Sequence, residues 1–134
     1  MTDKRITARY AFLCDDFRQE KNGKYIFIGV YSDSISVNGF PATLVLSLVP
    51  YFESAAVGTY ETEFEIKYND KTLAKAIGRV NSQSNGGAFT PFQMHPLELQ
   101  ASGVLSVRFK EKGKRWKTLL TMPVGTFEDT DSST

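Results

Sequence analysis

Cysteine and histidine are almost absent from this chain of 134 residues, which contains one of each, Cys14 and His95. A single cysteine cannot form a disulfide within the chain, and neither residue type is repeated in a way that could build a metal site. A lone thiol fits a reducing compartment, so we expect a cytoplasmic protein. Cys14, at the end of an apolar segment, is expected to be a small buried hydrophobic residue.

The chain also lacks long hydrophobic runs. No segment approaches the ~18 apolar residues that a membrane-spanning helix requires. The first 14 residues carry charges at Asp3, Lys4, Arg5 and Arg9 in place of the apolar core of a signal peptide. We therefore expect neither a membrane partner nor a cleaved leader.

The chain also has no large excess of either charge, because its 16 Lys and Arg residues nearly balance its 15 Asp and Glu residues, which gives a net charge of +1. Overall electrostatics therefore gives no argument for a nucleic-acid or anionic-membrane partner, although local patches remain open. With 41% hydrophobic and 13% aromatic residues, the composition is that of one ordinary globular domain. We place this domain at residues 1–125, followed by a polar acidic tail at 126–134.

Helical periodicity is nearly absent, and apolar residues instead recur at every second position. This alternation predicts strands at 6–14, 24–31, 35–37, 43–52, 59–68, 71–80, 103–109 and 115–124, whereas the polar, glycine-rich residues 81–91 are expected to form a loop. Pro50 cannot donate to a central ladder, so its end of the fourth strand is expected at an edge or a bulge. The pattern predicts an all-β, two-sheet antiparallel β-sandwich of about seven or eight strands, with a small closed β-barrel as the alternative.

The strands at 59–68 and 71–80 form a hairpin for which two registers are open. A two-residue loop would place Lys75 opposite Phe64, in the core. A three-residue loop, Asn69-Asp70-Lys71, instead pairs Phe64 with Ala76 and Tyr60 with Val80, and it sets Glu65 against Lys75 and Glu61 against Arg79. We favour the second register because it matches opposite charges. It turns Leu73 and Ile77 outward, either as scattered surface residues or as an apolar patch that a helix, a loop or a second protomer could cover.

The final hairpin concentrates positive charge. Pairing around Lys112-Gly113 predicts Phe109 opposite Trp116 and Leu105 opposite Leu120 on the core face. On the other face, Arg108 then lies opposite Lys117 and Lys110 opposite Arg115, and such like-charged pairs require a counter-charge nearby. Three sources are open: the Glu61, Glu63 and Glu65 stripe of this or another protomer, the acidic tail, or an external polyanion such as nucleic-acid phosphate. Alternatively, the hairpin tip is solvated and discourages edge-to-edge aggregation.

No motif for catalysis or metal binding is present. His95 lacks a nucleophile elbow or any other sequence pattern that would make it catalytic. Asp15, Asp16 and Asp33 follow or end strands, but they lack the regular spacing of a calcium loop and are expected to form turns. We therefore expect no enzyme, no cofactor and no metal.

The first third of the chain carries a resemblance. The run from Ala8 to Val37, followed by Phe40 to Leu44, resembles an uncharacterised family of small bacterial and prophage-associated proteins, classed as a domain of unknown function. The matching residues are Cys14-Asp15-Asp16, Arg18, Gly23-Lys24, Ile28-Gly29, Tyr31 and Pro41. The resemblance implies a β-rich fold and no activity.

Two functional hypotheses follow from the charge pattern. The first is a non-enzymatic interaction or structural module that self-associates or docks a protein partner through charged sheet faces, with Glu61, Glu63, Glu65, Leu73 and Ile77 at the interface. The second is binding of an anion or nucleic acid by Arg108, Lys110, Arg115 and Lys117; it is disfavoured because Trp116 and Phe109 are expected in the core rather than exposed for stacking. A hydrolase that uses His95 is a distant third.

Overall fold

A computed structural model describes residues 6–54, 57–82 and 86–127, and the fold is all-β as predicted. The strands of the first half are β1 (Ile6–Gln19), β2 (Tyr25–Val30), β3 (Ile35–Val37), β4 (Ala42–Leu44), β5 (Ser47–Ser54) and β6 (Gly58–Tyr68). Those of the second half are β7 (Lys71–Ser82), β8 (Gly86–Phe89), β9 (Phe92–Gln93), β10 (Leu97–Leu99), β11 (Gly103–Glu111) and β12 (Lys117–Thr126). The predicted acidic tail lies, from residue 128 onward, outside the described residues.

Two five-stranded sheets and one small sheet form the molecule. The first sheet has the order β2-β1-β5-β8, with β9 pairing on β5 as well; the second has the order β3-β12-β11-β6-β7. The small sheet contains only β4 and β10. All pairs are antiparallel except β12 with β3.

The core lies between the two large sheets, where phenylalanine rings from both sheets meet. Phe52 of the first sheet lies 5.4 Å from Phe109 of the second, measured between ring centroids, and Phe64 lies 5.1 Å from Phe109. On one side β1 approaches the second sheet closely, since Lys117 Nζ donates to the Ala8 carbonyl at 3.2 Å. The arrangement fits the predicted sandwich, and it equally fits a small barrel that is closed along this side.

The favoured register of the β6–β7 hairpin is confirmed, but the predicted loop is wrong. Phe64 pairs with Ala76 and Glu65 with Lys75. The turn contains two residues, Asn69 and Asp70, whose φ angles of 48° and 69° match a type I′ turn. A bulge then shifts the register, because Lys67 pairs with Thr72 and Ile66 with Ala74, which leaves Leu73 as the extra residue.

The predicted register of the final hairpin is wrong. Phe109 pairs with Lys117 instead of Trp116, and Leu105 pairs with Met122 instead of Leu120. The physical reason is a five-residue connection, 112–116, together with a bulge at Leu119 that shifts the pairing between Val107 and Arg108. As a consequence, Arg108 lies opposite Thr118, so the predicted facing pairs of like charges do not form.

Two further segments differ from their predictions. Residues 81–91 are not one loop, because Asn81 and Ser82 end β7 and residues 86–89 form β8, which pairs with β5. The predicted strand at 43–52 is interrupted after Leu44 and continues as β5. Pro50 is in β5, inside the first sheet, but it lies between the segments that β8 and β9 cover, where no strand needs its missing N–H.

Candidate functional site

The acidic stripe of β6 lies between two basic strands of the same chain. On one side, Arg108 of β11 forms an ion pair of 3.0 Å with Glu65, and Lys110 approaches Glu63 to 3.7 Å. On the other side, Lys75 of β7 lies 3.9 Å from Glu65. The pairing follows from the register, because outward residues of adjacent strands lie directly opposite one another.

Glu61 has the same double pairing at the other end of the stripe. Lys112 lies 3.1 Å from its carboxylate and Arg79 lies 3.8 Å away. Of the three counter-charges that were open for the basic hairpin, the structure therefore selects the β6 stripe within one chain. The three glutamates of the stripe therefore already form ion pairs within the chain.

Leu73 and Ile77 both lie on β7, as the register required, but they are not equally exposed. Ile77 is 80% exposed and stands among charged neighbours, whereas Leu73, in the bulge, is 38% exposed. A shallow depression at Ile77 is lined mainly by Glu61, Glu63, Arg79 and Lys112. The apolar patch predicted here thus consists mainly of Ile77, which stands in a polar setting.

Trp116 lies outside the core, beside two basic residues of the final hairpin. Arg108 and Lys110 lie 4.6 Å and 4.8 Å from the centre of the Trp116 ring, within range of cation–π attraction. The prediction that Trp116 belongs to the core is therefore wrong, since residue 116 lies in the connection before β12 and not in the strand pairing. Lys117 is engaged with Ala8, while Arg115 is exposed.

A second aromatic cluster covers the outer face of the first sheet, and the sequence reasoning missed it. We call it the outer aromatic cluster; it contains Tyr10, Phe12, Tyr25, Phe27, Tyr51 and Phe89. Tyr10, Tyr51 and Phe89 are in register across three strands, with ring centroids 5.1 Å and 5.0 Å apart. Beneath the rings, Val49 is fully buried although it points away from the inter-sheet core.

The rings of β2 extend this cluster to the edge of the sheet. Phe27 lies 5.0 Å from Phe12 and 5.3 Å from Phe89, and Tyr25 stacks on Phe27. The residues that alternate with these rings along β2 are aliphatic and exposed: Ile26 (44%), Ile28 (44%) and Val30 (51%). The signal that could have revealed this surface is the absence of any charge from Tyr25 to Tyr31, which makes a strand apolar on both faces.

Three residues of the family-like pattern meet where β2 ends. The Tyr31 hydroxyl donates to the Asp15 carboxylate at 2.9 Å. That carboxylate fills the space that a Cβ would occupy at Gly29, whose φ of +69° also disfavours other residues. Burial, and then the bond to Asp15, raise the pKa of Tyr31 to about 12. This arrangement fixes the shape of the β1–β2 ribbon.

The residues considered for catalysis and calcium are not brought together. His95 and Asp33 are exposed. The prediction that Asp15 and Asp16 end a strand and form a turn is wrong, because β1 continues to Gln19 and the Asp16 carboxylate accepts from the adjacent Phe17 N–H at 2.8 Å within the strand. Across the ranges 6–54, 57–82 and 86–127, no group of three or more His, Cys, Asp or Glu side chains is suited to hold a metal ion. Burial raises the pKa of Cys14, which is fully buried as expected.

Comparison with known proteins establishes the family and no more. Residues 9–120 match a family of unknown function, DUF6941, so the chain belongs to this family. The resemblance to an uncharacterised domain family is confirmed, while bacterial or prophage origin stays a prediction. No curated protein matches the chain. Within the described part of the chain, no helix has the length and apolar character needed to cross a membrane.

Proposed function

We propose that this protein is a non-enzymatic protein-interaction module, and that it associates through the outer aromatic cluster and the adjoining strand β2. The observation that carries the proposal is the six-ring cluster, in which Tyr10 is 46% exposed and the other five rings are half-buried, together with the exposed aliphatic residues of the adjoining strand β2, which has no charged residue. Monomeric proteins rarely expose contiguous apolar surface of this kind, and where they do it commonly marks an interaction site.

The charged faces contribute less to the proposed association than the charge pattern of the sequence indicated. Glu65 is only 6% exposed and Glu61 already faces two cations, so an external partner would have to displace ion pairs of this chain. Exposed ion pairs of that kind contribute about 0 to 1 kcal/mol each, whereas buried apolar area contributes about 25 cal/mol per Å². We therefore assign the main contact to the outer aromatic cluster, and the charged faces to orientation of the partner.

Self-association is the direct form of this proposal, and the molar mass in solution tests it. Light scattering over a range of concentrations is expected to give a mass above that of the monomer. Replacing Tyr10, which is 46% exposed in the cluster, by serine is expected to weaken the association, because it removes an aromatic contact.

The matched control is Ile77→Ser, which removes an even more exposed apolar side chain from the other sheet. It is expected to leave the mass unchanged. A monomer at every concentration would overturn the self-associating form of the proposal. Dissociation by Ile77→Ser alone would move the interface to the β6–β7 face.

A second candidate function is binding of a polyanion by the basic hairpin, and the position of Trp116 favours it. The ring lies outside the core beside Arg108 and Lys110, and exposed Arg115 follows in the turn. Titration with labelled single-stranded DNA at two salt concentrations tests it, with Arg115→Ala expected to reduce binding. Absence of salt-sensitive binding eliminates this candidate.

We further propose a cytoplasmic location. The support is Cys14, a lone thiol held fully buried, which has no partner cysteine in the chain. Fractionation of cells that produce the protein tests the location directly.

A further inference from the structure

The edge strand β2 differs from the other sheet edges in the described residues. The edge strand β7 carries Lys71, Lys75 and Arg79, and charged residues of this kind block pairing with another chain. The remaining edge strands are short, with two to four residues each, and short edge strands offer little backbone for pairing with another chain; they are β3, β4, β8, β9 and β10. Strand β2 has six residues and no charge, proline or covering element, so it is the least protected edge.

The ribbon that carries β2 has little support of its own. Strand β5 pairs with β1 only as far as Cys14, so Asp16 to Gln19 pair with β2 alone. Two-stranded ribbons are marginally stable in water, and a further strand on the free edge of β2 would stabilise this one.

The hydrogen bonds show which backbone groups the free edge offers. The Glu20 N–H donates to the Lys24 carbonyl at 2.7 Å, and this single hydrogen bond joins residues 20 and 24 at the start of the ribbon, since the Glu20 carbonyl accepts from the Gly23 N–H instead. Because hydrogen-bonded positions alternate along an antiparallel ladder, Ile26 and Ile28 direct their backbone groups toward β1. The N–H and carbonyl groups of Tyr25 and Phe27 therefore point away from β1, toward the free edge. The alternation changes at Gly29, whose φ is +69°, and beyond it the Tyr31 N–H donates to the Leu13 carbonyl of β1 at 2.9 Å.

A second β2 strand can meet this edge in an antiparallel register that matches apolar residues throughout. With Ile28 opposite Ile28 of the second copy, Ile26 faces Val30 and Phe27 faces Gly29, so the segment 26–30 covers itself. A phenylalanine across from a strand glycine is a favourable pairing, since the ring covers the gap that the missing side chain leaves. A shift by one residue on each strand would place Lys24 opposite Val30 instead.

Charges at the two ends favour the same antiparallel orientation. Exposed Lys24 precedes β2 and exposed Asp33 follows it. In the antiparallel register, Lys24 of each copy faces Ser32 of the other, next to Asp33. A parallel arrangement would bring the two lysines together and is disfavoured by their repulsion.

We propose that the partner of this surface is a second copy of the same chain, whose β2 pairs antiparallel with β2 about a twofold axis at Ile28. The pair joins the two first sheets into one continuous sheet and makes the two outer aromatic clusters neighbours. This inference rests on the proposed function, and it names the partner and the contact.

Disulfide trapping tests the register. In the proposed pair the two Ile28 residues form a non-hydrogen-bonded pair, with Cα atoms about 4.5 Å apart, within the range of a disulfide. The variant Ile28→Cys is expected to form a covalent dimer under mild oxidation. Cys14 does not interfere because it is fully buried.

The matched control is Ile26→Cys on the same strand, where the side chain has the same 44% exposure. In the proposed register the two copies of residue 26 are four positions apart along the ladder, about 13 Å, so no disulfide forms. Equal crosslinking of both variants, or crosslinking at residue 26 alone, would overturn the register.

A charged variant separates this inference from the proposed function. Ile28→Lys is expected to convert the wild-type dimer into a monomer in sedimentation experiments, with an unchanged circular dichroism spectrum showing that the fold is kept. If the dimer persists in Ile28→Lys and Ile28→Cys does not crosslink, the β2 pairing is wrong while self-association stands. A wild-type protein that is monomeric at every concentration overturns both, and a series of larger aggregates excludes a closed twofold pair.

Discussion

Asp15 of β1 and Tyr31, which directly follows β2, are joined by a hydrogen bond of 2.9 Å from the tyrosine hydroxyl to the carboxylate. The carboxylate reaches this position because residue 29, between them, is a glycine with a φ of +69°. Local backbone geometry and a single polar contact thus hold the end of β2, the strand on which the proposed interface depends.

Gly29→Ala is expected to destabilise the protein by about 2 kcal/mol, because the added methyl group collides with the Asp15 carboxylate and residue 29 is in the left-handed region. Urea unfolding measures the change. Gly39→Ala is the control, since no atom lies within contact distance of its added methyl group, and a change of less than about 0.5 kcal/mol is expected. Similar losses in both variants would show that the fit between Asp15 and residue 29 does not matter.

Tyr31→Phe is expected to change the alkaline stability. Because the pKa of Tyr31 is raised from 10.0 to about 12, the folded state holds this proton more tightly than the unfolded chain. The corresponding stability is fully present below pH 10 and is lost as the pH rises from 10 toward 12. The free energies of unfolding of wild type and Tyr31→Phe should therefore converge over this interval.

Tyr68 and Cys14, whose pKa values are also raised, are present in both proteins and cancel in the comparison. A constant difference between wild type and Tyr31→Phe across the interval would contradict the raised pKa of Tyr31, to which burial contributes first and the bond to Asp15 second.

Glu65→Gln is expected to cost about 2 kcal/mol, because Glu65 is buried between Arg108 and Lys75 and its loss leaves Arg108 without a counter-charge. Glu61→Gln, at an exposed pair, is expected to cost about 0.5 kcal/mol or less. Unfolding at low and high salt distinguishes them further, since screening weakens the exposed pairs more. Equal costs at both positions would mean that burial of Glu65 adds nothing.

Trp116→Ala is expected to destabilise the fold by about 1 kcal/mol, the scale of a cation–π contact between half-buried groups. Phe109→Ala, in the core, is expected to cost about 3 to 5 kcal/mol. Thermal or urea unfolding compares the two variants. A loss at Trp116 as large as that at Phe109 would support the core position that the original hairpin register predicted.

The two hairpins show where reasoning from the sequence works and where it does not. At β6–β7, opposite charges and alternating apolar residues are close together in the chain, so the pairing of Glu65 with Lys75 was predictable. At β11–β12, the five-residue connection 112–116 places Trp116 outside β12 and pairs Phe109 with Lys117, and the bulge at Leu119 shifts the remaining pairs once more; nothing in the local pattern marks either feature. The prediction that Trp116 is buried failed for this reason.

The sequence by itself determined the all-β class, most strand positions and the lone buried thiol, because alternation and composition are local properties of the chain. Only the tertiary structure decided which charges neutralise one another and which apolar face remains open. Glu65 meets Arg108 across 43 positions of sequence, and the outer aromatic cluster gathers rings from four strands. Such contacts depend on strand order, which short-range patterning does not encode. In this nearly neutral chain, the acidic residues of β6 thus form ion pairs with basic residues of β7 and of the β11–β12 hairpin. Strand β2 differs from these strands because it has no charged residue.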